Sequence, residues 1–134
     1  MQLQPYLMFE GRCEEAAKFY EKAIGAKIEK LLRYKDSPDP GTCPSPDREK
    51  IMHMSLRIGD QTVLASDGEC KGKPSFQGLS LSLNVSNEAE ASRLFSTLAD
   101  GGQVRMPLAK TFFSPAFGML ADRFGVSWMV HVAP

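Results

Sequence analysis

Two segments of the chain, Glu14–Ile24 and Glu88–Ala99, repeat the same pattern of hydrophobic and polar positions. In each segment, apolar residues stand at i, i+3, i+4, i+7 and i+8, which is the spacing of an amphipathic helix with one face towards a core. Both segments run into glycine, at Gly25 and at Gly101, as a left-handed helix end requires. The shared pattern at an offset of about 75 residues indicates a duplicated unit.

A strand-like run precedes each predicted helix and three more follow it. The predicted strands cover 3–9, 26–34, 51–58 and 62–66 in the first half and 79–85, 103–106, 117–121 and 126–132 in the second. We therefore predict an α+β fold of two tandem βαβββ modules, which form a curved mixed sheet around a cup with the helices on its outer face. The whole chain is expected to be one domain made of two modules, about 1–70 and 76–134.

The segment 36–50 fits neither module, because it carries four of the chain's nine prolines. Proline cannot continue a sheet ladder or a helix interior, so a loop is predicted here. A plain surface loop and a lid over the cup are both compatible with this composition.

Alternation along the predicted strands sorts side chains onto two faces. Leu3 in the first strand and the set from Met52 to Ile58 at every second position are expected to face the helix. The opposite face collects mainly polar side chains: Gln4, Tyr6, His53, Ser55, Arg57, Ser80, Ser82, Ser127 and His131. On an open sheet these groups would be solvated, whereas in a curled pair of sheets they would line a cup, the usual setting of a small-molecule site.

Composition excludes several classes of function. Sixteen basic residues balance sixteen acidic ones, so no field favours nucleic acid or an anionic membrane. No apolar run reaches the ~20 residues of a membrane span, and the N-terminus lacks the pattern of a signal peptide. The three cysteines (Cys13, Cys43 and Cys70) are odd in number without CxxC spacing, so we expect reduced thiols in a cytoplasmic protein. Cys13 stands at a helix start, where the dipole would lower its pKa, or it is an inert thiol.

The motifs EEAAKFYEKAIGA (14–26) and FGMLADRFGVSW (117–128), together with the duplicated βαβββ pattern, resemble the vicinal oxygen chelate superfamily, in particular its PhnB-like branch. This superfamily includes glyoxalase I, extradiol dioxygenases, fosfomycin-resistance enzymes and bleomycin-binding proteins. The resemblance implies paired modules around a cup and a homodimer. It also implies a divalent metal held by His, Gln or Glu from four strands.

This chain has few suitable donor residues at the positions where the superfamily resemblance implies metal ligands. The four implied positions fall on Gln4, near Leu64 or Ala65, on Ser80 and on Met129. Only the first offers an oxygen suited to a hard divalent ion, so we expect a degenerate site and no metal or other cofactor. A regrouping of Gln4, His53 and His131 around a metal stays an alternative. The methyltransferase label of some members implies a cofactor whose glycine-rich strand-to-helix turn is absent from this sequence.

These observations leave three hypotheses. The first is a homodimeric protein that binds a small molecule, with neither nucleic acid nor membrane as a partner, through Gln4, Tyr6, His53, Ser55, Arg57, Ser80, Ser82 and Met129. The second is a glyoxalase-like lyase, isomerase or group transferase that is metal-dependent or uses His53 or His131 for acid–base chemistry. The third is an interaction role in which the loop 36–50 or a sheet edge contacts a partner.

Overall fold

The computed structural model describes residues 1–38 and 48–134 of the chain. Most of the predicted proline-rich loop therefore lies outside the described residues. The chain divides into two compact units, Met1–Pro74 and Ser75–Pro134. Among the described residues, no helix has the length and apolar character needed to cross a membrane.

The first unit is a four-stranded mixed sheet with one helix. Its elements in chain order are β1 (Tyr6–Met8), α1 (Cys13–Ile24), β2 (Lys27–Arg33), a short 3-10 helix (Tyr34–Asp36), β3 (Ile51–Ile58) and β4 (Gln61–Ser66). The spatial order of the strands is β1-β4-β3-β2, with β1 parallel to β4 and the other pairs antiparallel.

The second unit repeats this plan. Its elements are β5 (Leu81–Val85), α2 (Glu88–Ala99), β6 (Gln103–Ala109), β7 (Phe117–Ala121) and β8 (Ser127–Val132). The strand order is β5-β8-β7-β6, and again only the first pair is parallel. The predicted α+β fold with two repeated βαβββ modules is confirmed.

The helix ends follow the chemistry expected from the sequence. Gly25 ends α1 in the left-handed region, at φ 70°, and its N–H donates to the carbonyl of Tyr20. Asn87 caps α2, because its side-chain oxygen accepts a hydrogen bond from the backbone N–H of Glu90 at 2.8 Å. In the second unit, Gly118 turns towards α2, where a Cβ would stand 2.7 Å from the Phe95 ring.

The start of α1 lacks a local side-chain cap and uses a distant carboxylate instead. Asp67 follows β4, is 1% exposed, and accepts hydrogen bonds from the backbone N–H of Cys13 at 2.8 Å and of Ile51 at 2.6 Å. Its own N–H donates to the carbonyl of Ile51. One side chain therefore joins the end of β4 to the beginnings of α1 and β3.

Two facing expectations for the first unit are wrong. A bulge at the start of β3 changes the register, since Leu32 pairs with His53 and the next residue, Arg33, pairs with Ile51. Ile51 is consequently fully buried, and Met52 is half-buried instead of facing the helix. Leu3 is also outside the core, because it precedes β1 and is 98% exposed.

The second unit uses a buried carboxylate to hold the β7–β8 hairpin. Asp122 is 3% exposed and accepts from the backbone N–H groups of Phe124 and Val126 and from the indole N–H of Trp128. The predicted turn at 122–125 is thus closed by a side chain that also orients the largest core residue.

An ion pair ties α1 to the end of β2. The Arg33 guanidinium donates to both carboxylate oxygens of Glu14, at 2.6 and 3.1 Å, and to the carbonyl of Glu49. The hydrogen bond from Arg33 lowers the pKa of Glu14, and the same contact raises the pKa of Arg33. The side chain of Glu14 is 42% exposed, so solvent screening keeps the contribution small.

We predict that Glu14→Gln lowers the free energy of unfolding by about 0.5 kcal/mol at pH 7. Because the folded-state pKa of Glu14 lies below its ordinary value of 4.5, this contribution is fully present above that value and disappears as the pH falls through the folded pKa. Urea unfolding at pH 7 and near pH 3 measures the difference, with Glu21→Gln on the same helix as control. An equal deficit at both pH values would contradict the assignment.

Candidate functional site

The sheet face opposite α1 brings together two of the residues predicted for a site. The Tyr6 hydroxyl and Nδ1 of His53 share a hydrogen bond at 3.2 Å, with the ring centroids 5.7 Å apart. The two side chains meet across β4, because Leu64 of β4 pairs with Tyr6 on one side and with Ser55 on the other. Tyrosine, histidine and serine therefore share this face of the first unit.

A pocket of about 410 Å³ opens on the same face. Its lining consists of two tyrosines, two methionines, a serine, a glycine and a glutamate: Tyr6, Met8, Tyr34, Met52, Ser66, Gly68 and Glu69. The Tyr34 hydroxyl donates to the carbonyl of Gly68. Gly68 has φ 57°, in the region that favours glycine, and a Cβ there would lie 2.8 Å from a carboxylate oxygen of Glu10, so a larger residue would displace the Glu10 side chain.

One rim of the pocket carries charge. The Glu69 carboxylate forms an ion pair with Lys71 at 2.8 Å, and this contact raises the pKa of Lys71. Both side chains are more than half exposed, so the pair contributes little to stability. It does place a carboxylate beside an apolar cavity.

The other residues predicted for the first unit lie apart from this pocket. Gln4 is half-buried ahead of β1, and Arg57 on β3 is paired with Glu29 at 3.2 Å. Within the described part of the chain, Ser55 and His53 do not line the pocket either, and Tyr6 is the predicted site residue that does. Sequence reasoning missed Met52, because the β3 bulge reverses its side, and Glu69, because it lies in a turn beyond β4.

In the second unit the predicted residues lie on the face opposite α2. Ser82 pairs with Met129 across β5 and β8, and Asn84 pairs with His131 one step further along. The Asn84 side-chain oxygen lies 2.5 Å from Nδ1 of His131. Ser80 is exposed and precedes β5, so it stands outside the sheet.

The donor set does not fit the divalent metal that the superfamily resemblance implies. Of the implied positions, Gln4 offers an amide oxygen, Leu64 and Ala65 offer no donor, Ser80 offers a hydroxyl and Met129 a soft thioether. Within residues 1–38 and 48–134, no group of three or more His, Cys, Asp or Glu side chains is placed to hold a metal. No chemical step is therefore assigned to a metal.

An adenosyl cofactor at a helix N-terminus does not fit either. The first N–H of α1 already donates to the Asp67 carboxylate, and the negative charge there opposes an anionic or carboxylate-bearing ligand. The start of α2 is occupied by the Asn87 cap. Both sheets are also mixed four-stranded sheets and lack the parallel crevice in which such cofactors bind.

The structure supports the inert thiol over the activated one at Cys13, and it corrects one expectation about the cysteines. Cys13 is 1% exposed, and burial, followed by the neighbouring Asp67 and Glu14 charges, raises the pKa of its thiol. Cys13 is free, whereas Cys70 is disulfide-bonded, so the expectation of three reduced thiols is wrong at Cys70. A disulfide at Cys70 is not a feature that favours a cytoplasmic location.

Comparison with known proteins places this chain among close relatives. A family model described as 3-demethylubiquinone-9 3-methyltransferase matches residues 1–131. Protein YjdN of Escherichia coli strain K12 is 34% identical over 98% of this chain and 95% of its own length. The crystal structure of protein PA1353 from Pseudomonas aeruginosa is 44% identical, covers 99% of this chain and 98% of its own, and has a TM-score of 0.87.

A structure from Bacillus cereus, described as a putative 3-demethylubiquinone-9 3-methyltransferase and PhnB protein, is 31% identical with a TM-score of 0.83, over 99% of this chain and all of its own. More distant structures share the fold alone. A glyoxalase-related enzyme from Fulvimarina pelagi is 19% identical with a TM-score of 0.63, over all of this chain and 89% of its own. The fosfomycin resistance protein FosX from Listeria monocytogenes is 9% identical with a TM-score of 0.65, over all of this chain and 93% of its own.

We predict that the Cys13 thiol of the native protein resists alkylation. Its raised pKa leaves almost no thiolate at pH 8, and its burial blocks access, so iodoacetamide should react roughly a hundredfold more slowly than in urea-unfolded protein. Mass spectrometry of the peptide that contains Cys13 measures the rate. Modification of the native protein as fast as free glutathione would show an activated thiol.

Proposed function

The chain belongs to the family described as 3-demethylubiquinone-9 3-methyltransferase, and from this membership we propose a small-molecule-binding protein of the glyoxalase/bleomycin-resistance type. The resemblance to the PhnB-like branch of the vicinal oxygen chelate superfamily is confirmed by the family match and the shared fold. The ligand, the absence of a resident metal and a homodimeric assembly are parts of the proposal. Light scattering measures the last of these.

The pocket of the first unit carries this proposal. Its volume of about 410 Å³ suits a small organic molecule, and ligand sites are commonly apolar cavities with a few placed polar groups. Met8 and Met52 supply flexible thioethers that adapt to a ligand ring, and Tyr6 supplies both a ring and a hydroxyl. Binding and orientation are the roles that this lining supports best.

Acid–base catalysis is a second candidate function, favoured by the hydrogen bond between Tyr6 and His53. A histidine whose Nδ1 is held by a neighbour presents Nε2 in a defined direction, as general acid–base catalysis requires. This function would be identified by an enzymatic turnover that the unmodified protein shows and that His53→Ala abolishes while ligand binding is retained. Unchanged turnover in that variant would exclude His53 from the chemistry.

We predict that p-cresol binds in the pocket with a Kd of about 1 mM, the affinity typical of so small a ring compound. In protein labelled with 13C at the methionine methyl groups, p-cresol should move the signals of Met8 and Met52. The signal of Met54, which is fully buried, should stay in place and serves as an internal control.

Met52→Trp fills the pocket and should weaken p-cresol binding at least tenfold, because the added ring occupies the space of the ligand. Val104→Trp is the matched control, since Val104 lies in the second unit and is 45% exposed. Equal affinity in the two variants, or methyl signals of Met8 and Met52 that do not respond, would refute binding at this pocket.

A further inference from the structure

Three of the seven methionines form one row across the second unit. Met106 on β6 pairs with Met119 on β7, which pairs with Met129 on β8. The row lies on the face opposite α2, because Gly118, next to Met119, is turned towards the Phe95 ring of that helix. Met106 is 44% exposed, and the other two are half-buried. Thioether side chains on an exposed sheet face form an adaptable apolar surface.

A second row of side chains runs beside the methionines. Phe117 on β7 pairs with His131 on β8, and His131 pairs with Asn84 on β5. Phe113 stacks edge-on against Phe117, with the ring centroids 5.1 Å apart, and lies 6.3 Å from His131. We call Met106, Met119, Met129, Phe113, Phe117 and His131 together the methionine–aromatic face.

The histidine in this face is held in one tautomer. The Asn84 side-chain oxygen can only accept a hydrogen bond, and it lies 2.5 Å from Nδ1 of His131, so Nδ1 carries the proton. In the neutral imidazole, Nε2 is then an acceptor. The face is bordered by the polar side chains of Ser82 and Asn84 on β5, and within it Nε2 of His131 is a directed acceptor.

The loop that presents the phenylalanines is tied to the sheet. Ser114 is 3% exposed, and its Oγ lies 2.7 Å from the carbonyl oxygen of Ala116 and 2.5 Å from that of Val132. The carbonyl of Ser114 in turn accepts from the backbone N–H of Thr111. These bonds hold Phe113, which is 41% exposed, over the second row.

The dimensions of the face identify its occupant. Three strands (β6, β7 and β8) at the usual spacing and two side-chain rows give a strip of roughly 10 Å by 7 Å. This strip is far smaller than the about 800 Å² per partner that a stable protein interface buries. It matches the footprint of a flat molecule of two or three rings. Sulfur–aromatic contacts with the methionines and edge contacts with Phe113 suit such rings.

We propose that the methionine–aromatic face binds a flat aromatic molecule that donates an N–H or O–H to Nε2 of His131. The inference extends the proposed small-molecule function to a second set of residues, all in the second unit, and it does not depend on the pocket of the first unit. Asn84 acts as a positioning residue, because it acts through His131.

The test uses indole and 1-methylindole, which have nearly the same ring area but differ in the N–H donor. In the full-length protein with 13C-labelled methionine methyl groups, both compounds should move the signals of Met106, Met119 and Met129. Indole should bind about fivefold more tightly, the gain of one hydrogen bond.

Three variants separate the parts of the proposal. Asn84→Ala, at an exposed position, should bring the affinity for indole down to that for 1-methylindole, because it removes the lock on the tautomer. Phe113→Ala should weaken the binding of both compounds several-fold. Val104→Ala, a half-exposed control on β6, should change neither affinity.

The proposal would be overturned by equal affinities for the two compounds in the unmodified protein, or by methyl signals of the row that do not respond to either. Movement of those signals with rising protein concentration alone would show that a second copy of the chain covers the face, and would also overturn it. If indole moves only Met8 and Met52, this inference fails while the pocket of the first unit stands.

Discussion

The buried carboxylate of Asp67 is the interaction on which the first unit depends. Its two oxygens accept from backbone N–H groups at the start of α1 and of β3, while its own backbone continues β4. The same residue lies between Ser66 and Gly68, the segment that forms one wall of the pocket. One side chain therefore fixes the start of α1, the bulged register of β3 and the pocket wall. A carboxylate buried in this way requires both of its hydrogen-bond donors.

The second unit also uses a buried aspartate to bond backbone N–H groups, but at the β7–β8 turn instead of at a helix start. Asp122 closes the β7–β8 turn and accepts from the Trp128 indole, so it sets the register of the two strands that carry most of the methionine–aromatic face. Each unit has a buried aspartate whose carboxylate oxygens accept hydrogen bonds in the core. In each unit, the sheet face opposite the helix carries methionine, aromatic and histidine side chains. The buried carboxylates lie in the core, whereas the opposite face of each sheet carries flexible thioether and aromatic side chains.

Much of this fold could be predicted, since local signals determine it. The apolar spacing of 14–24 and 88–99 and the cap at Asn87 are properties of short segments, and both helices form as expected. The candidate site was harder to predict from the sequence, because it depends on contacts between residues that are far apart in the chain. The β3 bulge that turns Met52 to the open face leaves no mark in the alternation of the strand. The raised pKa of Cys13 likewise comes from burial and from Asp67, which is distant in sequence.

Asp67 is inferred to couple the stability of the first unit to the shape of its pocket. Urea unfolding and p-cresol titration of Asp67→Ala test this coupling most directly. We expect a loss of about 3 kcal/mol in the free energy of unfolding, because two buried N–H groups lose their acceptor, together with weaker p-cresol binding. Asp67→Asn, which keeps one acceptor oxygen, should fall between the two proteins in both measurements and covers the case in which the alanine variant does not fold. Near-native stability and unchanged p-cresol affinity in both variants would contradict the claim.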